Sequence, residues 1–427
     1  MPHRSCRCHA FLPVLAIAVA AGACAQSPGA QSSGARDTAP PSPSGGASAA
    51  PAQELAPDSL LHPPAPIVPT PAAMRGLYVN RWAAGGQRMR QLIDLAKTTE
   101  INALVIDVKD DRGLMLYRSR IPLAREIGAD TVGPMSYARV RALLDTMRAH
   151  GIYPIARIVV VKDPLLAEHR PEWAIRRADD STRAWLDRGG KPWLDPHHAE
   201  VWQYSADIAR EAVDLGFSEI QLDYVRFPDE RRLIRESVFP LAAGRTRAQV
   251  IREMLGAMRD TLRPLGVRFT IDVFGLTTSD TTDMGIGQKW EMFVDQADAV
   301  LPMMYPSHYA PGSYRLGSPN AEPYAVIDHG LRDALRRTRG IEGAGEIIPW
   351  YQDFTLGAPR YGAEQVRAQI EAGYANGLES WILWNPGSRY TLGALRPRGS
   401  EGRARPPAAA DTDSVATVPP GAAPPRR

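Results

Sequence analysis

The sequence predicts an α/β protein, a closed (β/α)8 barrel of the TIM type carried between disordered Pro-rich N- and C-terminal segments. Three observations predict it. Residues 74–390 alternate apolar strand-like runs with amphipathic stretches, and the strand-like runs number eight. Such alternation imposes parallel pairing through right-handed crossovers, and eight strands favour closure over an open doubly wound sheet. No G-x-G-x-x-G follows the first strand, so the usual mark of a dinucleotide-binding sheet is missing.

The strand runs, in order, are Met74–Asn80, Ala103–Asp110, Tyr153–Asp163, Ser218–Phe227, Arg268–Gly275, Ala299–Pro306, Glu346–Phe354 and Ser380–Pro386. Between them Arg88–Thr98, Tyr137–His150, Ala199–Leu215, Arg247–Leu262, Trp290–Gln296, Tyr324–Arg337 and Glu364–Ala375 repeat apolar residues at three- and four-residue spacing, which predicts helices. Helix-to-strand connections are short, around Gly151, Gly216, Gly266, Ala299 and Gly377. Strand-to-helix connections at 164–195, 228–246, 276–288 and 307–323 are long. In a barrel all the latter lie at the C-terminal face, so the elaborated end is the working end. Trp173, Trp185 and Trp193 lie in the 164–195 loop and Trp82 follows the first strand, positions where ring faces suit either sugar stacking or anchoring of the loop itself.

The ends carry no such pattern. Residues 1–23 read as a signal peptide: Arg4 and Arg7 precede a short apolar run, Phe11–Ala23, too short for a permanent membrane span. The run closes on Ala21-Gly22-Ala23-Cys24, which resembles a lipobox and makes Cys24 the expected lipidation site; an ordinary cleaved signal is the alternative. Residues 24–70 read as a tether and 396–427 as a tail. Together 25–70 and 396–427 hold 17 of the 38 prolines and too little apolar surface to offset the entropy of ordering. The barrel domain is thus expected at 71–395.

Charge and cysteine usage exclude several classes. The formal charge is +3, and removal of Arg4 and Arg7 with the leader leaves 48 cations against 47 anions. That balance gives no reason to expect nucleic acid or an acidic membrane surface as partner, leaving the lipid anchor as the one membrane contact. The cysteines stand at 6, 8 and 24, which removes a disulfide framework, a thiolate metal site and a cysteine nucleophile from the domain. His197 and His198 follow Asp195-Pro196, but Asp then Pro is a helix start and adjacent histidines point apart. No metal and no cofactor are expected.

Parallel barrel strands are covered on both faces and read nearly all apolar, so a carboxylate inside one must be paired, ligate a metal or serve a function. Asp107, Asp223 and Asp272 each stand between apolar neighbours on strands two, four and five. Period-two alternation can point all three into the barrel mouth. The plain structural alternative is a buried ion-pair ring with Lys109, Arg157 and Arg226 that sets strand register. The further strand-end candidates for substrate contact are Tyr224, Tyr305, His308, Trp350, Asp353, Trp384 and Asn385.

Gly76–Asn80, Val105–Gly113, Trp193–Pro196 and above all Leu222–Pro228, with its D-Y-V-R-F-P run, resemble the bacterial glycoside-hydrolase-like TIM-barrel lipoproteins, relatives of the α-amylase and α-galactosidase assemblage. The resemblance spans about 74–390 and implies a carbohydrate-active enzyme with Asp223 as nucleophile. The assemblage carries Arg two residues before that Asp, where this chain has Gln221; Arg157 or Arg226 is then expected to position the anion. Strand five offers Asp272 where a glutamate is common, so Asp272 is taken as acid/base, with Asp107 or Asp353 as the alternative donor. Asp223 and Asp272 end adjacent strands about 4.8 Å apart, which suits the close carboxylates of a retaining glycosidase. The expectation is an exported glycosidase acting on an envelope or extracellular polysaccharide. Its rivals are a non-catalytic glycan-binding lipoprotein and a metal-dependent deacetylase or phosphoesterase on the same fold.

Overall fold

The computed structural model describes residues 67–230 and 232–400. The leader, Cys24, most of the tether and the tail beyond residue 400 lie outside the described residues. Eight parallel strands form the barrel: β1 Arg75–Val79, β2 Ala103–Lys109, β3 Tyr153–Val159, β4 Glu219–Asp223, β5 Arg268–Phe274, β6 Ala299–Met304, β7 in two pieces (Glu346–Ile347 and Trp350–Gln352), and β8 Trp381–Trp384. Each pairs with its neighbours in sequence, and β8 pairs back onto β1, so the ring closes. The pieces of β7 keep one register on β6, with Ala299 opposite Glu346 and Met303 opposite Trp350. Pro349, which has no N–H to donate, sits in the interruption.

Among the described residues the seven expected helices are present, α1 Gln87–Thr98, α2 Tyr137–Ala149, α3 Ala199–Leu215, α4 Arg247–Leu262, α5 Trp290–Phe293, α6 Pro323–Thr338 and α7 Ala363–Ala375. Three further short helices, Arg81–Ala84, Pro122–Glu126 and Pro164–His169, lie in strand-to-helix connections. Local chemistry sets their ends. Ser136 caps α2 by accepting from the Arg139 N–H, Thr246 and Gln249 form a capping box on α4, and α3 stops at left-handed Gly216. A single 3-10 turn, Leu392–Ala394, follows β8.

Strand alternation splits the apolar residues into two layers. Leu104, Ile106 and Val108 of β2 pack outward with Leu92, Leu144 and Val201 of the helices. Ala103 and Val105 point inward with Tyr78, Tyr153, Ile155, Leu301, Trp350 and Ile382. The inward positions of β2–β5 turn polar towards the mouth, whereas those of β6, β8 and β1 stay apolar or aromatic and β7 places Gln352 after Trp350. The site is built on that division.

Three boundaries differ from expectation. β4 ends at Asp223 because Tyr224 takes a left-handed backbone, φ 54°, which no strand can continue. A fifth long connection, residues 110–136, follows β2; buried Glu211 of α3 ties it down by accepting from Ser119 Oγ and the Arg120 N–H. The packed chain also runs past both domain limits. Val68 N–H donates to Ser218 Oγ, and Glu100 accepts from the Arg396 backbone N–H.

Candidate active site

At the mouth, the Arg157 guanidinium of β3 reaches three aspartates on three other strands. Its Nη1 donates to Asp107 Oδ1 at 2.5 Å, its Nη2 to Asp223 Oδ2, and its Nε lies 3.6 Å from Asp272 Oδ2. Although burial opposes its charge, the carboxylates of Asp107, Asp223 and Asp272 hold the guanidinium protonated well above its ordinary value. Register explains the meeting. Asp107 stands opposite Arg157, and Leu222 opposite Ile271, so Asp223 and Asp272 are the next inward residues on adjacent strands.

The three carboxylates differ in their other partners. Asp107 Oδ2 accepts from the Tyr78 hydroxyl at 2.5 Å, yet burial still pushes its pKa up to about 6. Asp223 Oδ1 accepts from the Tyr224 N–H, a contact that the left-handed Tyr224 backbone makes possible. Asp272 is 1% exposed; its Oδ1 accepts from Gln221 Nε2 at 2.5 Å and Trp350 Nε1 at 2.6 Å. Its Oδ2 is buried without a hydrogen bond. Burial first, and then the charge of Asp223, raise the Asp272 pKa well above the carboxylate range.

Rings wall the opposite side. Tyr305 stacks on Trp384, centroids 5.2 Å apart and planes 23° apart, and Phe354 stands edge-on to both. His308, exposed at the rim, meets Tyr305 edge-on at 5.4 Å.

Several expected positions lie elsewhere. Lys109 is diverted: a bulge between Asp107 and Lys109 turns it outward, where it is fully buried against Asp163 at 2.6 Å and faces Tyr204 of α3. Arg226 does not reach the aspartates; it donates to the Phe227 carbonyl and to Asp229 and lies over the rings of Trp193, Tyr224 and Phe274. Asp353 accepts from both the backbone and hydroxyl of Thr391, and Asn385 caps a turn by accepting from Gly387 and Arg389 N–H groups. Both are loop ties. Trp350 is a buried donor beneath the site, not an exposed stacking face. Trp185 and Trp193 are buried loop anchors, their indole N–H groups bound to Leu233 O and Asp187. His197 hydrogen-bonds Asp195, and no group of three His, Cys, Asp or Glu among the described residues is placed to hold a metal ion.

Sequence reading missed Tyr78 and the donor role of Gln221. Both occupy inward positions in the same alternation as Asp107 and Asp223, a signal that continuing the period-two count along β1 and β4 would have read.

A closed parallel barrel with acidic strand ends beneath an aromatic wall defines the class of glycoside-hydrolase-type TIM barrels. The chain belongs to the family described as "putative glycosyl hydrolase domain", whose model matches residues 76–390. No curated protein sequence matches it. Among solved structures it is similar to a hypothetical protein from Ruminiclostridium thermocellum, 38% identical, covering 46% of this chain and 97% of that one with a TM-score of 0.42. It is also similar to the glycoside hydrolase domain of PgaB (BpsB) from Bordetella bronchiseptica, 14% identical over 74% and 95% of the two chains, TM-score 0.54. The α-galactosidase TtGalA from Thermus thermophilus is 14% identical over 76% and 60%, TM-score 0.43.

Proposed function

We propose that the barrel hydrolyses glycosidic bonds of an envelope or extracellular polysaccharide by a retaining double displacement, with Asp223 as nucleophile and Asp272 as acid/base. The observation that carries this is an imbalance of charge: three buried carboxylates share one guanidinium. A ring that only set strand register would bury balanced charge, because excess buried charge is costly. The excess favours keeping a proton on one of the carboxylates. Asp272, the most buried and lying against Asp223, is the group that keeps it. Asp223 accepts from the Arg157 guanidinium on one oxygen and from the Tyr224 N–H on the other, which fixes the orientation of the nucleophile.

In the first step an Asp223 oxygen bonds to the anomeric carbon as Asp272 gives its proton to the departing glycosidic oxygen. In the second, Asp272 takes a proton from the water that displaces Asp223. Tyr305 and Trp384 offer the sugar a stacking face.

The test is reducing-end release from a panel of envelope and secreted polysaccharides, repeated with Asp223→Asn. That variant is expected to lose turnover and keep fold and sugar binding. Near-normal activity in it, or inverted product stereochemistry, would overturn the assignment. Stoichiometric zinc or manganese in active protein would favour the metal-dependent hydrolase instead. The envelope location rests on the Cys24 lipobox and the Pro-rich run after it. Cys24→Ala is expected to move the protein from the membrane fraction to the soluble one, and unchanged fractionation would remove the anchor from the proposal.

A further inference from the structure

The mouth has a second wall. Lys162, three residues past β3, and Arg226, three past β4, both lie over the same two rings. Lys162 Nζ stands 5.2 Å from the Tyr224 ring and 6.0 Å from Trp193; the Arg226 guanidinium stands 4.8 Å and 5.2 Å from them. Tyr224 follows Asp223 directly, so both cations sit over the ring of the residue next to the nucleophile candidate. A glycosidase of neutral sugars has no need of two cations there.

Each cation already holds a carboxylate. Lys162 Nζ meets Asp111 Oδ2 at 2.8 Å, and Arg226 Nη1 meets Asp229 Oδ1 at 3.3 Å. Both acids are loop residues with substantial solvent access, 44% for Asp111 and 33% for Asp229. The Lys162 side chain is 25% exposed and that of Arg226 7%, so a ligand carboxylate reaches Lys162 directly and displaces Asp111 into water, with Arg226 behind it adding its charge and the rings holding both cations in place. The three site aspartates would repel an acidic sugar unless such cations stood beside them.

We propose that the mouth selects an acidic glycan, and that Lys162 with Arg226 binds the carboxylate of a uronic or sialic acid unit next to the cleaved bond. This rests on the reading that the mouth takes a glycan. Rings on one wall then take the apolar sugar face, and cations on the other take the charged group.

The experiment reads binding rather than cleavage. Full-length protein and its Asp223→Asn variant are titrated by ligand-observed NMR with glucuronate, galacturonate and N-acetylneuraminate, each beside its methyl ester, and with glucose 6-sulfate. At least one acid is expected to bind about tenfold tighter than its ester, with the preference weakening at high salt. Lys162→Gln should remove most of that preference and Lys162→Arg should restore it, while the esters bind all variants alike. Acids no tighter than their esters, or a preference untouched by Lys162→Gln, would overturn the proposal. Tighter binding of glucose 6-sulfate than of every acid would overturn the carboxylate assignment in favour of a sulfated glycan. Because Asp223→Asn is used for binding, the outcome does not depend on turnover. Cleavage of neutral glycans alone would sink this proposal and leave the glycosidase reading standing.

Discussion

Arg157 is the residue on which the mouth depends, because it is the one cation shared by carboxylates from β2, β4 and β5. Arg157→Met would leave those acids buried without it, and removing one partner of a buried ion pair costs about 3–5 kcal/mol. Urea denaturation should show a loss of that size. Arg157→Lys keeps the charge but not the planar fork, so it should recover part of the stability while activity stays low. Buried carboxylates also set a pH dependence. Burial raises Asp107 from 3.8 to about 6, and raises Glu219, at the barrel floor, from 4.5 to about 7. The folded chain then holds protons the unfolded chain has lost. Each contribution is full below about pH 4 and disappears as pH rises through 6 or 7. Glu219→Gln should therefore gain stability relative to the parent chain as pH rises from about 4 to about 8; a difference that stays flat would show that Glu219 titrates normally.

Among the elements, β2 shows how one inserted residue redirects chemistry. Period-two counting puts Asp107 and Lys109 on the same face, but the bulge sends Lys109 outward to Asp163. The turn that follows depends on Gly113, whose φ is 83° and whose added Cβ would lie 2.1 Å from Asp163 Oδ1. Gly190 has a similar φ of 70° with nothing near it, and so isolates the backbone effect. Gly190→Ala should cost about 1 kcal/mol, whereas Gly113→Ala should cost about 3 kcal/mol or more by displacing the buried pair. Equal losses in the two variants would mean that the Lys109–Asp163 pair yields freely. The same element logic explains β4, where the left-handed Tyr224 both ends the strand and turns its N–H onto Asp223.

For the molecule as a whole, both ends of the described chain pack against the floor of the barrel, opposite the mouth. Val68 binds Ser218, Thr70 shares a hydrogen bond with Tyr153, and Arg396 and Arg398 pair with the segment 98–100. A fragment spanning 71–395 cuts these contacts, whereas one spanning 67–400 keeps them. The shorter fragment should melt several degrees lower, since about 1 kcal/mol per lost hydrogen bond is a large share of a domain's margin. Equal melting temperatures would show that the floor contacts contribute nothing.

The sequence by itself determined the barrel, the seven helices and the identity of Asp107, Asp223 and Asp272 as carboxylates out of place in apolar strands. Those features are local: alternation, helical spacing and turn chemistry are written within about ten residues of where they act. Tertiary structure alone decided which cation serves the aspartates, choosing Arg157 over Lys109 and Arg226. It also decided that Gln221 and Trp350 hold one oxygen of Asp272, and that Asp353 and Asn385 belong to loops. These outcomes turn on one bulge, one left-handed residue and the register between strands, which bring together groups as far apart in sequence as Asp272 and Trp350. Distance in space between such groups is set by ring closure, and no local pattern records it.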